Sequence, residues 1–382
     1  MDYNIISADG HVDLHWLPPN LFKENCAHRF RELMPYVRHD GQWVDDQGGD
    51  YGVAQGTGAT KGRPYVAGYQ KRMDDHERTN LYSDGKRRPG NPELRIKDQD
   101  LDGIQGEVLY GILGTTRYVN NPEVAEEMIR IYNQWVFTFQ EKYPERFRPL
   151  AVIPTTSLDA MIRQIVNSRY KHCGVQICND DIKVPLFYPD WNKMWELCVE
   201  YNLPVHFHTT VPKMDWSMIN EEYKRPIIAT WLGGFQFTAH KVISEMIFGQ
   251  VLDRYPQLKV VFAESGIGWL PYFLDRMDLQ WEEKYSDINL SAKPSEIWRR
   301  QCYCSFQMDE IGLQHLDIIG ENNVMWANDF PHSEGTWPNS REFITKSMKN
   351  VDHDIKKKIL YRNAMDLYGF SEYYTYDQTF EW

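Results

Sequence analysis

Short apolar runs rich in Val, Ile and Phe recur along the chain, and most are followed by a segment with helical spacing of apolar positions. Eight runs read as strands: 3–8, 106–110, 150–153, 174–177, 204–207, 259–263, 302–306 and 323–327. Helical patterns cover 121–143, 157–169, 191–201, 239–255, 270–285, 310–319, 340–349 and 354–368. The second helical segment opens on Ser157, a good N-cap, and the first on NPEVAEEM, with Pro122 suited to the first helical turn. Apolar strands alternating with helices imply parallel pairing through right-handed crossovers. Eight such repeats predict an α/β fold, a (β/α)8 TIM barrel. An open doubly wound sheet is the alternative, but no GxGxxG follows the first strand.

Residues 18–98 break the rhythm with Gly, Asp, Tyr and Arg clusters such as DDQGGDYGVAQGTGATKGRPYVAGY. A structureless linker this long is unusual in a compact chain. It reads as an insertion after strand 1 that caps the barrel mouth, within a single barrel domain spanning 1–382.

Composition narrows the class. Aromatic residues make up 14% of the 382, which suits apolar pockets. The 42 basic and 54 acidic residues leave a net charge of −12, a poor match for nucleic acid or an anionic membrane surface. No run approaches the ~18 apolar residues of a membrane helix, and the N-terminus lacks signal-peptide features. Six cysteines without a CxxC pair fit reduced thiols and a cytoplasmic setting.

The chemistry sits at strand C-termini, where barrels of this kind carry their sites. Strand 1 ends in Asp9-Gly10-His11, and positions 9 and 11 share a face. Strand 5 ends in His206-Phe207-His208, strand 6 in Glu264 and strand 8 in Asp329 followed by His332. Imidazoles and carboxylates converging on one point suit a divalent metal. Asp329 is a candidate ligand or a base towards metal-bound water, while Glu264 brings a further carboxylate. His240, at a helix start, is a further catalytic candidate. His15 reads as a neighbour of the site or a surface residue. Arg63, Arg72, Arg78, Arg87 and Arg88 are candidates for a substrate carboxylate clamp. Trp269, Trp326 and Trp337 read as core or pocket wall, and Cys302 and Cys304 as core.

The segments ISADGH, LPVHFHTT, LKVVFAESGIGWLPYFLDRMD, NVMWANDFPHSEGTWPNS and PELRIKDQDLDGIQGEVLYG resemble the amidohydrolase-related family. That branch includes metal-dependent decarboxylases of aminocarboxymuconate semialdehyde and of hydroxybenzoates. The resemblance implies metal ligands at Asp9, His11, His208 (rather than His206) and Asp329, with Glu264 and His332 as further candidates. It departs at Glu264, where the decarboxylases carry a catalytic histidine. The expected function is a zinc- or manganese-dependent hydrolase or nonoxidative decarboxylase of a small carboxylated, aromatic or cyclic substrate. The surplus of ligand candidates leaves an alternative, a dinuclear oxygen-activating hydroxylase, with two irons as one form of it. Family members are often homodimers, an arrangement open to this chain.

Overall fold

Each of the eight apolar runs forms a parallel strand in the computed structural model, which describes residues 4–39, 43–49, 88–115, 119–208, 218–332 and 335–374. The strands are β1 (Ile6–His11), β4 (Gly106–Tyr110), β5 (Phe147–Pro149), β6 (Ala151–Val152), β7 (Val175–Cys178), β8 (Val205–His208), β9 (Val260–Ala263), β10 (Cys302–Phe306) and β11 (Val324–Trp326). Between β1 and β4 lies a short antiparallel hairpin, β2 (Tyr36–Val37) with β3 (Trp43–Val44), that the hydrophobic pattern does not predict.

The order β1-β4-β5 continues as β6-β7-β8-β9-β10-β11. The strand of the run at 150–153 starts earlier, at Phe147, and is interrupted at Leu150, where the chain changes partners: Leu150 N–H donates to Leu109 O at 3.0 Å, while Ala151 N–H donates to Gly174 O at 3.0 Å. On the other side the circuit closes at a parallel bridge between Gly10 and Phe330. There His11 N–H donates to Phe330 O at 2.7 Å, and Asp329 N–H donates to Asp9 O at 3.0 Å. The expected TIM barrel is the fold observed.

Five helices show how the sequence shapes the wall. Helix α1 (Pro92–Asp102) is capped by the Asn91 side chain, which accepts from Leu94 N–H. Its buried positions are Arg95, Asp98, Gln99 and Asp102, so the helical spacing is carried by polar residues and apolar periodicity misses it. Helix α2 (Pro122–Lys142) follows the usual rule, with Asn121 as cap, Pro122 in the first turn and an apolar face from Val124 to Phe139 on the core. Helix α3 (Leu158–Ser168) is capped by Ser157, as its sequence indicates. Helix α4 (Glu221–Leu232), also absent from the sequence reading, contains Pro226 and buries none of its residues. The long pattern at 239–255 is broken in two, because α5 (Ala239–Phe248) stops at Gly249 and Gln250 takes a positive φ of 57° before a short helix resumes at Val251–Arg254.

The barrel interior holds Ile6, Ala8, Val108, Tyr110, Val261, Ala263 and Met325. Tyr368 and Phe370, from the C-terminal helix α6 (Asn363–Tyr368) and the turn after it, plug the end opposite the site. A Cβ on Gly106, the first residue of β4, would lie 2.9 Å from the Phe370 ring. At ~1.5–3 kcal/mol per fully buried large apolar side chain, this packing fixes the strand ends at the other rim. The described part of the insertion packs Leu21, Phe22, Phe30 and Met34 with α2 residues. Residues 40–42 and 50–87 lie outside the described residues, as do Arg63, Arg72, Arg78 and Arg87. Of the Arg candidates, Arg88 is described; it is engaged with Asp98.

Candidate metal centre

Strand β1 carries two donors on one face because it is bulged. Its register with β4 passes from Ser7↔Glu107 to Gly10↔Leu109, so three steps on β1 oppose two on β4. Ile6 and Ala8 therefore face the interior at the lower part of the strand, and Asp9 and His11 face it at the mouth. Gly10 points the other way. A Cβ there would lie 2.0 Å from Glu107 Oε1, which accounts for glycine between the two donors.

At the mouth, Asp9 and His11 meet His208 from the end of β8 and Asp329 from the segment after β11. His11 Nε2 lies 3.2 Å from Asp9 Oδ1 and 3.3 Å from Asp329 Oδ1. His208 Nε2 lies 3.6 Å from Asp9 Oδ2 and 3.9 Å from Glu264 Oε2. Asp9, His11, His208 and Asp329 are all at most 1% exposed. Their donor atoms fall into two groups, Asp9-His11-His208 and His11-Asp329-His332, each within 4.8 Å.

These spacings test whether an ion fits. Two ligand atoms each about 2.1 Å from a tetrahedral metal stand about 3.4 Å apart. The separations of 3.2, 3.3 and 3.6 Å match that arrangement. Asp9 Oδ1, His11 Nε2 and both Asp329 oxygens are buried without a hydrogen-bond partner among the described residues. Buried polar atoms are rarely left so. The donor set fits a divalent ion.

The same residues hold one another by shorter contacts on the side away from that point. His332 Nε2 lies 2.8 Å from Asp13 Oδ2, and His332 Nδ1 lies 3.1 Å from Asp329 Oδ1. Asp13 Oδ1 stands 3.5 Å from His11 Nδ1, and the His332 ring stacks on His11 at 3.9 Å. Burial pushes the His332 pKa down, but Asp329 and Asp13 outweigh it and hold the imidazole well above its ordinary value. Burial also opposes protonation of His11, as does His332, yet Asp13 and Asp9 raise its pKa to about 9. Burial alone would raise Asp9 and Asp13, but neighbouring imidazoles bring both below the usual carboxylate range.

Asp13 was not among the sequence candidates; the period-two series 9, 11, 13 in DGHVD was the available signal. Ser305 was also missed. Its hydroxyl accepts from Glu264 N–H at 2.9 Å and donates to Asp9 Oδ2 at 3.4 Å, tying the ends of β9 and β1 together. Glu264 takes a positive φ of 49°. The ESGIGW loop after it is clamped by Asp309, which accepts from Ile267 N–H at 2.7 Å and Gly268 N–H at 2.6 Å.

The structure does not bring every candidate to this point. His206 lies deeper in the barrel, with Nδ1 at 3.0 Å from Val175 O and Nε2 at 3.0 Å from the Tyr368 hydroxyl. Burial holds its pKa down to about 4. His240 is exposed at the start of α5, with Nδ1 on Phe237 O, and belongs to neither donor group. Glu264 stands at the edge of the first group, and His332 belongs to the second. Trp326 and Trp337 are buried, and Cys302 and Cys304 are core residues whose thiol pKa values burial raises.

Comparison with known proteins gives the family and the fold. A 2-amino-3-carboxymuconate-6-semialdehyde decarboxylase of Dictyostelium discoideum is 24% identical over 289 residues, covering 73% of this chain and 77% of that protein. The crystal structure of an amidohydrolase from Mycobacterium avium subsp. paratuberculosis superposes with a TM-score of 0.68 at 17% identity, covering 97% of this chain and 100% of that one. A dihydroxybenzoic acid decarboxylase from Polaromonas sp., with bound manganese and 2-nitroresorcinol, gives 0.61 at 18% identity over 78% of this chain and 93% of that one. The amidohydrolase family model matches residues 79–370, beginning beyond β1. With the match spanning most of the chain and the barrel shared, the protein belongs to the amidohydrolase family and is an enzyme of that superfamily.

Proposed function

We propose that this enzyme is a divalent-metal-dependent nonoxidative decarboxylase of small aromatic carboxylates. The observation that carries the reading is the convergence of Asp9, His11, His208 and Asp329, with oxygens of Asp9 and Asp329 and His11 Nε2 buried without a hydrogen-bond partner among the described residues. Support for the reaction comes from relatives that are decarboxylases, one of them crystallised with manganese and a resorcinol analogue. We infer one ion. His11 Nε2 faces both Asp9 and Asp329, while Nδ1 faces Asp13, so the two donor groups share a single imidazole nitrogen. The dinuclear hydroxylase alternative draws no support from these relatives.

Asp9, His11, His208 and Asp329 would hold the ion, which supplies a Lewis acid that chelates substrate oxygens and neutralises their charge. The chain's own residues do the rest. In decarboxylation the ring carbon gains a proton as its bond to the carboxylate breaks, and CO2 leaves with no redox change. Asp329, buried and with Oδ1 3.1 Å from His332 Nδ1, is placed to hold that proton. Glu264, whose Oε2 lies 3.9 Å from His208 Nε2, is a second acid group at a position where the family resemblance implies a histidine. His332 and Asp13 orient ligands rather than bind the ion, since both His332 ring nitrogens face carboxylates. The exposed His240 has no part in this scheme.

Hydrolysis of a carboxylated cyclic substrate is the second reading, favoured by Glu264, a carboxylate able to accept a proton from water where the family resemblance implies an imidazole. The deciding experiment is to load the protein with manganese or zinc, count metal per chain, and assay CO2 release against ring opening on hydroxybenzoates and cyclic amides. About one ion per chain with CO2 release supports the decarboxylase. Ring opening without CO2 replaces it with the hydrolase. No metal uptake removes both.

A further inference from the structure

Arg95 lies on the outer side of the barrel, away from the point where the donors converge, and its side chain has no exposed surface. Glu107 on β4 holds its guanidinium: Nε donates to Oε2 at 2.7 Å and Nη2 donates to Oε1. Gln99 Nε2 donates to the same Glu107 Oε1 at 2.7 Å. The remaining guanidinium donors reach backbone. Nη1 donates to His11 O at 2.8 Å and to Pro89 O at 3.0 Å, and Nη2 donates to Phe330 O at 3.2 Å.

Two of those carbonyls stand on either side of the seam that closes the barrel. His11 ends β1, and Phe330 follows Asp329. The seam itself is short, a single bridge between Gly10 and Phe330 flanked by two hydrogen bonds. It also carries a left-handed residue, since Asp329 has a φ of 53°. A non-glycine residue in that conformation persists only where its surroundings over-determine it. The Phe330 ring, 4.9 Å from the guanidinium carbon, adds one more such contact.

A buried ion pair is a poor way to gain stability, because desolvation offsets the attraction. A planar fork of five donors is, however, suited to fixing several acceptors at once. We infer that Arg95, held by Glu107, is a positioning residue for the metal centre. It locks β1 to the segment after β11, so that Asp9 and His11 on one side and Asp329 on the other keep the spacing at which they take an ion. The inference rests on the metal reading above. It also accounts for the polar buried face of α1, which places Arg95 at the seam.

The test is manganese(II) affinity of the full chain, measured by competition with a chelator alongside the EPR spectrum of the bound ion. Arg95→Lys keeps the charge facing Glu107 but lacks the fork. Its control is Arg148→Lys. Arg148 is also buried and donates to Tyr368 O and Gly369 O, but at the opposite end of the barrel. The expected result is manganese affinity about 10–100-fold weaker in Arg95→Lys, with an altered EPR spectrum, and wild-type affinity in Arg148→Lys. Equal affinity in Arg95→Lys and wild type overturns the inference, and so does an equal loss in the two variants. If Arg95→Lys does not fold, Glu107→Gln, which loosens the hold on the guanidinium, is compared with Arg148→Lys on the same criteria. Absence of manganese uptake by the wild type would instead fell the metal reading, a result distinct from the others.

Discussion

The two donor groups that meet at His11 differ in spacing. Between Asp9, His11 and His208 the contacts run from 3.2 to 3.6 Å, too long or too poorly aimed for hydrogen bonds. Around His332 they shorten to 2.8 and 3.1 Å, and each ring nitrogen faces its own carboxylate. Residue types are the same in both groups, histidine and aspartate. What separates them is the direction of the donor atoms. One side, joined by Asp329, leaves the donor atoms of Asp9 and His11 aimed at a common point; on the other, His332 turns its ring nitrogens to Asp13 and Asp329. The first side therefore reads as the ion's own shell and the second as the support that orients it.

The largest test of that division is removal of a donor from the first side. Asp9→Asn keeps the shape but takes away the charge. Metal content is expected to fall from about one per chain to near zero, with loss of turnover, by elemental analysis after dialysis. His208→Ala is expected to do the same. Retention of a full equivalent in either variant would break the comparison at its base.

The supporting side has a smaller expected effect. His332→Asn and Asp13→Asn are expected to retain an ion while weakening its affinity about 10–100-fold. The two residues act through one contact of 2.8 Å, so their effects in the double variant should fall short of additive. Metal loss as complete as in Asp9→Asn would make His332 a ligand, as its sequence position also allows.

Some of this was open to sequence reading. The strands were legible because a buried parallel strand is a run of Val, Ile and Phe, and the donors because they terminate those runs. The preference for His208 over His206 came from the family resemblance and not from the strand pattern: both lie on one face, and depth in the barrel separates the residue at the mouth from the one bonded to Tyr368. Helix α1 was illegible for a different reason. Its buried face is Arg95, Asp98, Gln99 and Asp102, satisfied by hydrogen bonds to residues distant in sequence, such as Asn328 and Ser340. Apolar periodicity carries no trace of such a face. Helix α4 shows the converse, since Ile227, Ile228 and Trp231 lie on a helix that buries none of its residues. The bulge that turns both Asp9 and His11 inward is equally invisible, because it depends on the register with β4.

A smaller effect follows from protonation at the shared imidazole. In the metal-free protein the His11 pKa is raised to about 9, with Asp13 and Asp9 outweighing burial and His332. The ion must displace that proton, so binding releases it. Affinity for manganese should rise about tenfold per pH unit from 7 and flatten near 9, as isothermal titration in buffers of different ionisation enthalpy would show. Affinity that is flat from pH 7 to 9 would mean His11 is already neutral, and that the carboxylates on the supporting side do not govern it.

The smallest effect concerns a histidine with no acid partner among the described residues, which serves as the control for the supported ones. His172 is buried, with Nε2 3.2 Å from Asn133 O, and burial depresses its pKa to about 4. Folded protein keeps it neutral down to that pH, whereas the unfolded chain protonates it below about 6.5. The unfolded state therefore binds more protons in this window, and stability is present above pH 6.5 and lost as pH falls towards 4. At 1.36 kcal/mol per unit the loss amounts to about 3 kcal/mol. His332 works in the opposite sense in the metal-free protein: its raised pKa lends stability at low pH, lost as pH climbs through the folded value. Urea unfolding in the presence of a chelator at pH 7 and pH 5 should thus show His172→Gln flattening the acid-side decline, and His332→Asn steepening it. Parallel slopes for both variants would mean that their acid neighbours, Asp13 and Asp329 against none, make no difference to how these two buried imidazoles are held.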